Sequence, residues 1–282
     1  MRATFDRQLR RIFVAFAALA LLAGPIGLTA AVKLPALIGD HMVVQQGKPF
    51  TVWGWAGKGE AVTVLFNGQE RRVVAGADGT WRVVFDPLEA GGAPLEMTLR
   101  GAEGPAVVVK DILVGEVWVC SGQSNMEWPM SALPNPAPEI LRADNPNMRL
   151  FLVPKRTADR PVDDVAAKWK LCDPHTVRPF SAVAYYFGLE LHRRLGIPIG
   201  LIESAWGGTL IEPWTPPVGF AAVPEVKPIL ERHATEYAGY LDALARVLPA
   251  WETWARASRK ALAAKPPAPP DPAPGRPRDP YD

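Results

Sequence analysis

Short stretches in which apolar and polar residues alternate fill the first half of the chain. Alternation with a period of two is typical of strands that have one buried face, and the intervening Asn67-Gly68 and Asp78-Gly79 pairs are typical of tight turns. The pattern predicts strands at residues 50–55, 61–66, 71–74, 81–85, 95–99 and 106–110. Regular short strands with glycine-rich turns favour a small β-sandwich or jelly-roll domain over residues 32–113.

Three tryptophans, Trp53, Trp55 and Trp81, lie on these predicted strands. Exposed on one face, they would form a platform for sugar rings. Aromatic residues at alternating strand positions also pack in cores and between domains, which is the interpretation we prefer.

Apolar runs flank a helical pattern in the next part of the chain. Three runs predict strands: Val117–Val119, Met148–Val153 and Ile197–Ile202. Before the third run, Ala182–Leu195 has apolar residues at helical spacing, with Ser181 in front of it and Gly196 behind it. Strand, helix, strand with glycine at a carboxyl end favours an α/β domain, a parallel sheet with flanking helices, over residues 114–224.

Residues 225–264 carry an apolar stripe that includes Leu230, Leu244 and Trp254. The pattern predicts one long helix, or two helices broken near Pro249, because proline interrupts helical hydrogen bonding. The stripe either packs on its own domain, which we prefer, or forms a surface for a partner. The proline-rich residues 265–282 predict an extended or disordered linker.

The first 31 residues have the composition of a secretory signal. Four arginines precede an apolar core, Ile12–Leu22, that is too short to span a bilayer comfortably. Thr29-Ala30-Ala31 then offers small residues for cleavage. We therefore expect an exported protein, periplasmic or extracellular, without a stable membrane span after cleavage. An uncleaved membrane anchor is the alternative.

Charge and the positions of cysteine and histidine bear on three expectations: the partners, a disulfide and a metal site. The chain has 31 basic and 29 acidic residues, and removing residues 1–31 takes away four arginines and one aspartate, which leaves 27 against 28. A nearly neutral chain gives no reason to expect nucleic acid as a partner. Cys120 and Cys172 either form a disulfide or are small buried residues. No histidine or cysteine pair has zinc-ligand spacing, so we expect no metal and no cofactor.

Ser124 follows the Val117–Val119 strand, two residues after Gly122. Ligands of open α/β sheets bind at the carboxyl ends of strands. A serine at such a place can present its hydroxyl outward while its own N–H group points at a developing oxyanion. Taken alone, a serine after a strand is more often the cap of a turn or helix.

The residues around Ser124 change that balance. Cys120–Trp128 (CSGQSNMEW) resembles the first conserved block of the SGNH-hydrolase superfamily, in the form found in the sialate O-acetylesterase family. Ile202–Thr209 (IESAWGGT), followed by Glu212 and Trp214, resembles the second block of that family. The resemblance implies a flavodoxin-like parallel sheet, with residues 225–264 as a helical insertion.

The resemblance also implies which residues form the site. Ser124 would be the nucleophile. The N–H groups of Ser124 and of one of the two glycines, Gly207 or Gly208, would bind the oxyanion. Gln123, Asn125 and Thr209 would contact the substrate, an acetyl ester of a small molecule or glycan.

The chain departs from the family pattern in its base and acid. The Gln-Gly-Glu-Ser-Asn block and the Asp and His motif of the family are absent. His175 lies two residues from Asp173, but its surroundings resemble a loop upstream of the helix, and His41, His192 and His233 match no motif. We therefore expect a fragment whose base-carrying part lies beyond residue 282, with a genuinely short protein as the alternative.

Two classes of function follow. The first is an exported serine esterase that removes O-acetyl groups from sugars, with sialic acid as the first choice and acetylxylan or another polysaccharide as the alternative. The second is a non-catalytic carbohydrate-binding accessory protein. The sequence gives no indication of the oligomeric state.

Overall fold

A computed structural model describes residues 32–102, 104–158, 161–264, 267–269 and 271–278. The predicted secretory signal, residues 1–31, lies outside the described residues. The residues group into two compact units. The first holds the described residues up to Ser121 together with Trp128–Pro154 and Asp163–Ser204. The second holds Gly122–Glu127, Lys155–Val162 and the described residues from Ala205 onward.

The strands account for most of the first unit. In chain order they are β1 (Val43–Gln45), β2 (Phe50–Trp55), β3 (Ala61–Phe66), β4 (Gln69–Val74), β5 (Thr80–Phe85), β6 (Leu95–Arg100), β7 (Val107–Gly122), β8 (Asn145–Leu152), β9 (Trp169–Cys172) and β10 (Ile199–Ala205). Every strand predicted from the alternating pattern is present: β2 and β3 have the predicted ends, β4, β5 and β6 differ by one or two residues, and the strand predicted at 106–110 is the first part of the much longer β7. The turn at Asn67-Gly68 joins β3 to β4, and both of its residues have positive φ, 46° and 73°.

One long strand, β7, lies between the antiparallel and the parallel parts of the larger sheet. The larger sheet has the order β4-β3-β6-β7-β10-β8-β9, with β1 also paired to β7, and β2 and β5 form a separate antiparallel pair. β6 runs antiparallel to β7, β1 runs parallel to β7, and β10 runs parallel to β8. The mixed α/β class is confirmed. The predicted domain boundary at residue 114 falls inside β7, and the division into domains stays a prediction.

The hydrophobic core of the first unit runs from the early strands to β8 and β9. Phe66, Phe85 and Phe151 are at most 1 % exposed, and Phe66 and Phe85 meet edge to face with ring centroids 5.6 Å apart. The ring centroids of Trp169 and Phe151, in the same cluster, are 5.3 Å apart. Burial of these large aromatic side chains removes much apolar surface from water, which is the main stabilising contribution to this unit.

The three tryptophans of the early strands do not form one exposed face. Trp81 is 3 % exposed and Trp53 packs against the core cluster. Trp55 is half-buried, and the ammonium group of Lys33 lies over its ring at 5.1 Å from the centroid. Core packing is therefore confirmed for Trp53 and Trp81.

The helices are α1 (Ser124–Glu127), α2 (Ala137–Leu141), α3 (Ala182–Leu195), α4 (Pro217–Ala221) and α5 (Lys227–Ala263). α3 has the predicted bounds. The Ser181 hydroxyl accepts a hydrogen bond from the Ala184 N–H group at 3.1 Å, and the helix ends at Gly196 in the left-handed conformation. The Ser181 N–H group donates to the buried carboxylate of Glu203 on β10 at 2.7 Å, which fixes the start of α3 against that strand.

α5 runs through Pro249 as one helix of 37 residues, so the version with a break at Pro249 is wrong. Ser258 is the only buried residue of α5 and Leu241 is 46 % exposed, and the preferred packing of the stripe on its own domain stays a prediction. Among the described residues, the segments that pack against α5 are short. They are α4, the turn Pro224–Val226 and the proline-rich segment, whose Asp271 carbonyl accepts a hydrogen bond from the Trp254 indole at 2.7 Å. In the described part of the chain, no helix is long and apolar enough to cross a membrane.

Candidate active site

The strand β7 ends in a tight turn that leads into α1. Gly122 has a φ of 154°, and a Cβ atom at this position would lie 3.1 Å from the Cβ of Met126. A side chain would therefore strain the turn. The Glu127 N–H group donates to the Gln123 carbonyl at 2.9 Å and closes the short helix. We call residues 122–127 the nucleophile turn.

Ser124 opens α1 and is exposed. Among the described residues, its hydroxyl makes one side-chain hydrogen bond, to the amide oxygen of Gln123 at 3.3 Å. The predicted outward orientation of the hydroxyl fits this exposure. Asn125 is the next residue of α1 and is also exposed.

A second turn, residues 206–209, follows β10 and is tied to the nucleophile turn. The Trp206 N–H group donates to the Gly122 carbonyl at 3.0 Å. Inside this second turn, the Thr209 hydroxyl donates to the Trp206 carbonyl at 2.7 Å and accepts from the Trp214 indole at 2.8 Å. Thr209 therefore shapes the turn, and its predicted contact with substrate stays a prediction.

The two candidate glycines differ in their surroundings. A Cβ atom on Gly207 would lie 3.4 Å from the Cα and 3.7 Å from the N of Ser124. The corresponding position on Gly208 meets no heavy atom within 4 Å, and Gly208 has a φ of 79°. Gly207 thus lies directly beside the candidate nucleophile, whereas Gly208 supplies the conformation that turns the chain away.

The structure adds two charged residues that sequence reasoning missed. The Glu127 carboxylate accepts a hydrogen bond from the Gly207 N–H group through one oxygen and from the Lys155 ammonium group through the other. The Lys155 ammonium group also lies 5.8 Å from the centroid of the Trp206 ring. Glu127 was inside the recognised block and three residues from Ser124 on one helix face, which was a usable signal. Lys155 carried no such signal in the sequence, because it lies 28 residues further along the chain.

The ion pair lowers the pKa of Glu127. The hydrogen bond from Lys155 is the largest cause, and the Gly207 N–H group adds to it. The carboxylate is therefore ionised at neutral pH, and an anionic oxygen rests on the Gly207 N–H group beside Ser124. Side-chain exposure of 30 % for Glu127 and 44 % for Lys155 means that solvent screens this pair.

In the described part of the chain, none of the four histidines makes a hydrogen bond to the Ser124 hydroxyl. The His41 Nδ1 is hydrogen-bonded to the Asp111 carboxylate at 2.6 Å, and the His192 Nδ1 to the Ile197 carbonyl at 2.7 Å. The carboxylate beside His175, Asp173, accepts from the backbone N–H groups of Thr176 and His175, and these bonds lower its pKa. That carboxylate therefore shapes its own turn. His233 lies on α5.

Neither cysteine takes part in a disulfide. Cys120 and Cys172 are free and buried, and burial raises their pKa values to about 11 and about 12. The interpretation of Cys120 as a small buried residue is confirmed. No group of three or more His, Cys, Asp or Glu side chains within the described ranges could hold a metal ion.

Comparison with known proteins supports the resemblance that the two blocks suggested. No family model matches the chain. The chain is 35 % identical to a sialate O-acetylesterase of Mus musculus over 202 residues, which is 65 % of this chain and 37 % of the relative. It is 34 % identical to a sialate O-acetylesterase of Homo sapiens over 201 residues, 65 % of this chain and 38 % of the relative.

A solved structure agrees. The crystal structure of a carbohydrate acetylesterase from Xanthomonas citri matches with a TM-score of 0.63 and 37 % sequence identity, over 65 % of this chain and 42 % of that chain. The resemblance to the sialate O-acetylesterase family is confirmed. The chain spans little more than a third of the length of the curated relatives it matches.

Proposed function

We propose that the protein hydrolyses O-acetyl esters of sugars, with Ser124 as the nucleophile. The observation that carries this proposal is the meeting of the two turns. An exposed serine follows the end of β7, and the backbone of Gly207 lies directly beside it. Similarity to sialate O-acetylesterases and to a carbohydrate acetylesterase supports the type of reaction.

The reaction has two steps. The Ser124 Oγ attacks the acetyl carbonyl carbon, its proton passes to a base, and the sugar oxygen leaves with a proton, which forms an acetyl-serine. Water then attacks the acetyl carbonyl, acetate leaves, and the serine is restored. In both steps the carbonyl oxygen becomes an oxyanion, which N–H donors stabilise by a few kcal/mol each, about 3 kcal/mol in a measured case.

The donors are the N–H group of Ser124 and that of one glycine in the second turn. Of the two candidates, we favour Gly207, because it lies against Ser124 and its N–H group already faces an anionic oxygen. A donor that suits a carboxylate oxygen has the direction and polarity that an oxyanion needs. Gln123 and Asn125, which flank Ser124 in the nucleophile turn, would contact the acetylated sugar.

The finer parts of the proposal come from the residue patterns and the relatives. The base is a histidine held by an aspartate. The substrate is an O-acetylated sialic acid, the protein is exported through the signal at residues 1–31, and the early strands form a β-sandwich domain of the whole protein. The sheet of the catalytic domain is of the flavodoxin-like SGNH type.

The test begins with the gene. Its reading frame is sequenced past the codon for Asp282, and the complete product is assayed for acetate release from p-nitrophenyl acetate, O-acetylated sialic acid and acetylxylan. We expect Ser124→Ala to lower kcat by at least about a thousandfold, since removal of a triad member has an effect of this size or larger.

Ser131→Ala is the matched control, because Ser131 is an exposed serine in the next turn of the chain. This control should keep the parent rate. An enzyme that retains its rate after Ser124→Ala would contradict the assignment of the nucleophile. Release of acetate from acetylxylan and not from the sialic acid would replace the proposed substrate while leaving Ser124 in place.

A further inference from the structure

The Glu127 carboxylate places a negative charge where the proposed reaction develops another. Its two oxygens have different partners: one accepts from the Gly207 N–H group and the other from Lys155. A Cβ atom on Gly207 would lie 2.8 Å from the first of these oxygens and 3.4 Å from the Cα of Ser124. The carboxylate and the candidate nucleophile thus share the space around Gly207.

An anion in this position opposes catalysis unless its charge is balanced. Two like charges a few ångströms apart repel each other, and the repulsion grows as the carbonyl oxygen gains charge in the transition state. The same carboxylate also competes for the Gly207 N–H group. Glu127 by itself would therefore raise the barrier of the proposed reaction.

Lys155 supplies the balancing charge. Its ammonium group contacts the carboxylate directly and is held over the Trp206 ring, in the turn that carries Gly207. With Lys155 present the pair is neutral overall, and the ammonium group draws electron density away from the oxygen on Gly207. Without Lys155, an uncompensated carboxylate would remain beside Ser124.

We propose that Lys155 is a positioning residue that acts through Glu127: it neutralises this carboxylate, which weakens both the repulsion of the oxyanion and the competing hydrogen bond to the Gly207 N–H group. The inference rests on the proposed esterase function. It differs from a purely structural role in its prediction for the double variant. If the pair only holds the fold, the single variant should lose melting temperature and the double variant should regain it, whereas the proposed role changes and restores kcat at an unchanged melting temperature.

Kinetics of the complete gene product test this difference. Lys155→Met should lower kcat about tenfold with little change in KM, because the oxyanion exists only in the transition state and solvent screens a half-exposed charge. Adding Glu127→Gln to Lys155→Met removes the stranded charge. The double variant should return to within about threefold of the parent, because neither side chain then places a charge beside the oxyanion. Lys155→Arg keeps the charge and should keep the rate.

A second measurement on this chain is independent of turnover. Only Gly54 and Gly207 follow a tryptophan, so carbonyl-¹³C tryptophan combined with ¹⁵N-glycine selects two amide signals. The Gly207 signal should shift with pH as Glu127 titrates, with a midpoint below the ordinary pKa of 4.5. Lys155→Met should raise that midpoint, Glu127→Gln should abolish the shift, and the Gly54 signal serves as the reference.

The outcomes separate the two proposals. A double variant as slow as Lys155→Met, or a Lys155→Met variant as fast as the parent, overturns the role of Lys155 while leaving Ser124 as nucleophile. A Gly207 signal that does not follow Glu127 overturns it as well. Turnover that does not depend on Ser124 overturns the proposed function, and the amide titration then still decides whether Lys155 acts on Gly207 through Glu127.

Discussion

The residue scale is where the two candidate oxyanion donors can be separated. In Gly207→Ala the new methyl group displaces the Glu127 carboxylate, 2.8 Å away, and comes into contact with the Ser124 Cα at 3.4 Å. Because small displacements of reacting groups are costly, we expect kcat/KM of the complete gene product to fall by about tenfold to a hundredfold. The melting temperature should change little, since the carboxylate is the flexible end of a side chain.

Gly208→Ala is the matched variant. The added methyl group meets no atom within 4 Å, but a φ of 79° is unfavourable for alanine. We expect a loss of about 1 kcal/mol in the free energy of unfolding, measured by urea titration, and a smaller effect on kcat/KM than in Gly207→Ala. A larger loss of kcat/KM in Gly208→Ala would assign the donor to Gly208 instead.

At this scale the sequence indicated the candidate nucleophile but not its surroundings. Ser124 stands in a contiguous block, so the block could be recognised from the sequence alone. The contact of Glu127 with both Lys155 and Gly207 joins residues that are 28 and 80 positions apart. No local pattern encodes such a contact, because side chains of this length reach several partners and the fold selects among them.

At the scale of elements, the start of α3 depends on one buried serine. The Ser181 hydroxyl accepts from the Ala184 N–H group, and Ser181 is fully buried. Ser181→Ala removes the cap and should lower the free energy of unfolding by about 1–2 kcal/mol, measured by urea denaturation. Ser131→Ala, an exposed serine, should cost less than about 0.5 kcal/mol. Equal effects of the two variants would show that the cap contributes nothing.

Elements with local signals were predicted well, and elements with distant partners were not. α3 was predicted with its correct ends because a serine cap, an apolar stripe and a terminal glycine lie within the same 16 residues, 181–196. β9 was missed because its four residues become a strand only by pairing with β8, about twenty positions earlier. Pro249 predicted a possible break, but α5 is mostly exposed and continues through it.

At the scale of the whole molecule, an ion pair between a buried arginine and a partly buried aspartate links three separate segments of the first unit. Arg149 on β8 is 3 % exposed and donates two hydrogen bonds to Asp111 on β7, at 2.5 and 3.1 Å. Asp111 also contacts His41 at 2.6 Å. Asp111 and His41 both have positive φ, 56° and 68°, so the network holds two unfavourable backbone conformations in place.

The pKa of Asp111 makes this link dependent on pH. Burial opposes ionisation of the carboxyl, but the hydrogen bonds and charges of Arg149 and His41 outweigh it, so the pKa lies below the ordinary 3.8. A lowered folded-state pKa stabilises the fold above the ordinary pKa, and that contribution disappears as pH falls through the folded value. The stabilisation is therefore complete at pH 7, begins to decline near pH 3.8 and is lost as pH falls through the lower folded-state pKa.

Asp111→Asn tests this link. It leaves the buried Arg149 without a charged partner and should lower the free energy of unfolding at pH 7 by about 3 kcal/mol. The difference from the parent should shrink as pH falls below 3.8. Asp86→Asn, which breaks the exposed pair with Arg71, is the control and should cost less than about 1 kcal/mol. A difference that stays constant down to pH 2 would contradict the assigned charge state.

The sequence patterns also did not predict that the early strands and the α/β part share one hydrophobic core. Alternating strands and a strand-helix-strand pattern predicted two structures in succession, and both patterns are present. β7 is one strand through the predicted boundary, and Phe66 and Phe151 belong to the same buried cluster. The side on which a strand finds its partner depends on tertiary packing, which periodicity alone does not contain.

The central claim is that Ser124 is an activated nucleophile, and covalent labelling tests it most directly. The complete gene product is treated with a fluorophosphonate, which forms a stable ester only with an activated serine, and the modified peptide is located by mass spectrometry. We predict one added group, on Ser124, and none in Ser124→Ala. A label on another serine, such as Ser121 or Ser204, or no label on a protein that hydrolyses acetyl esters, would contradict the account.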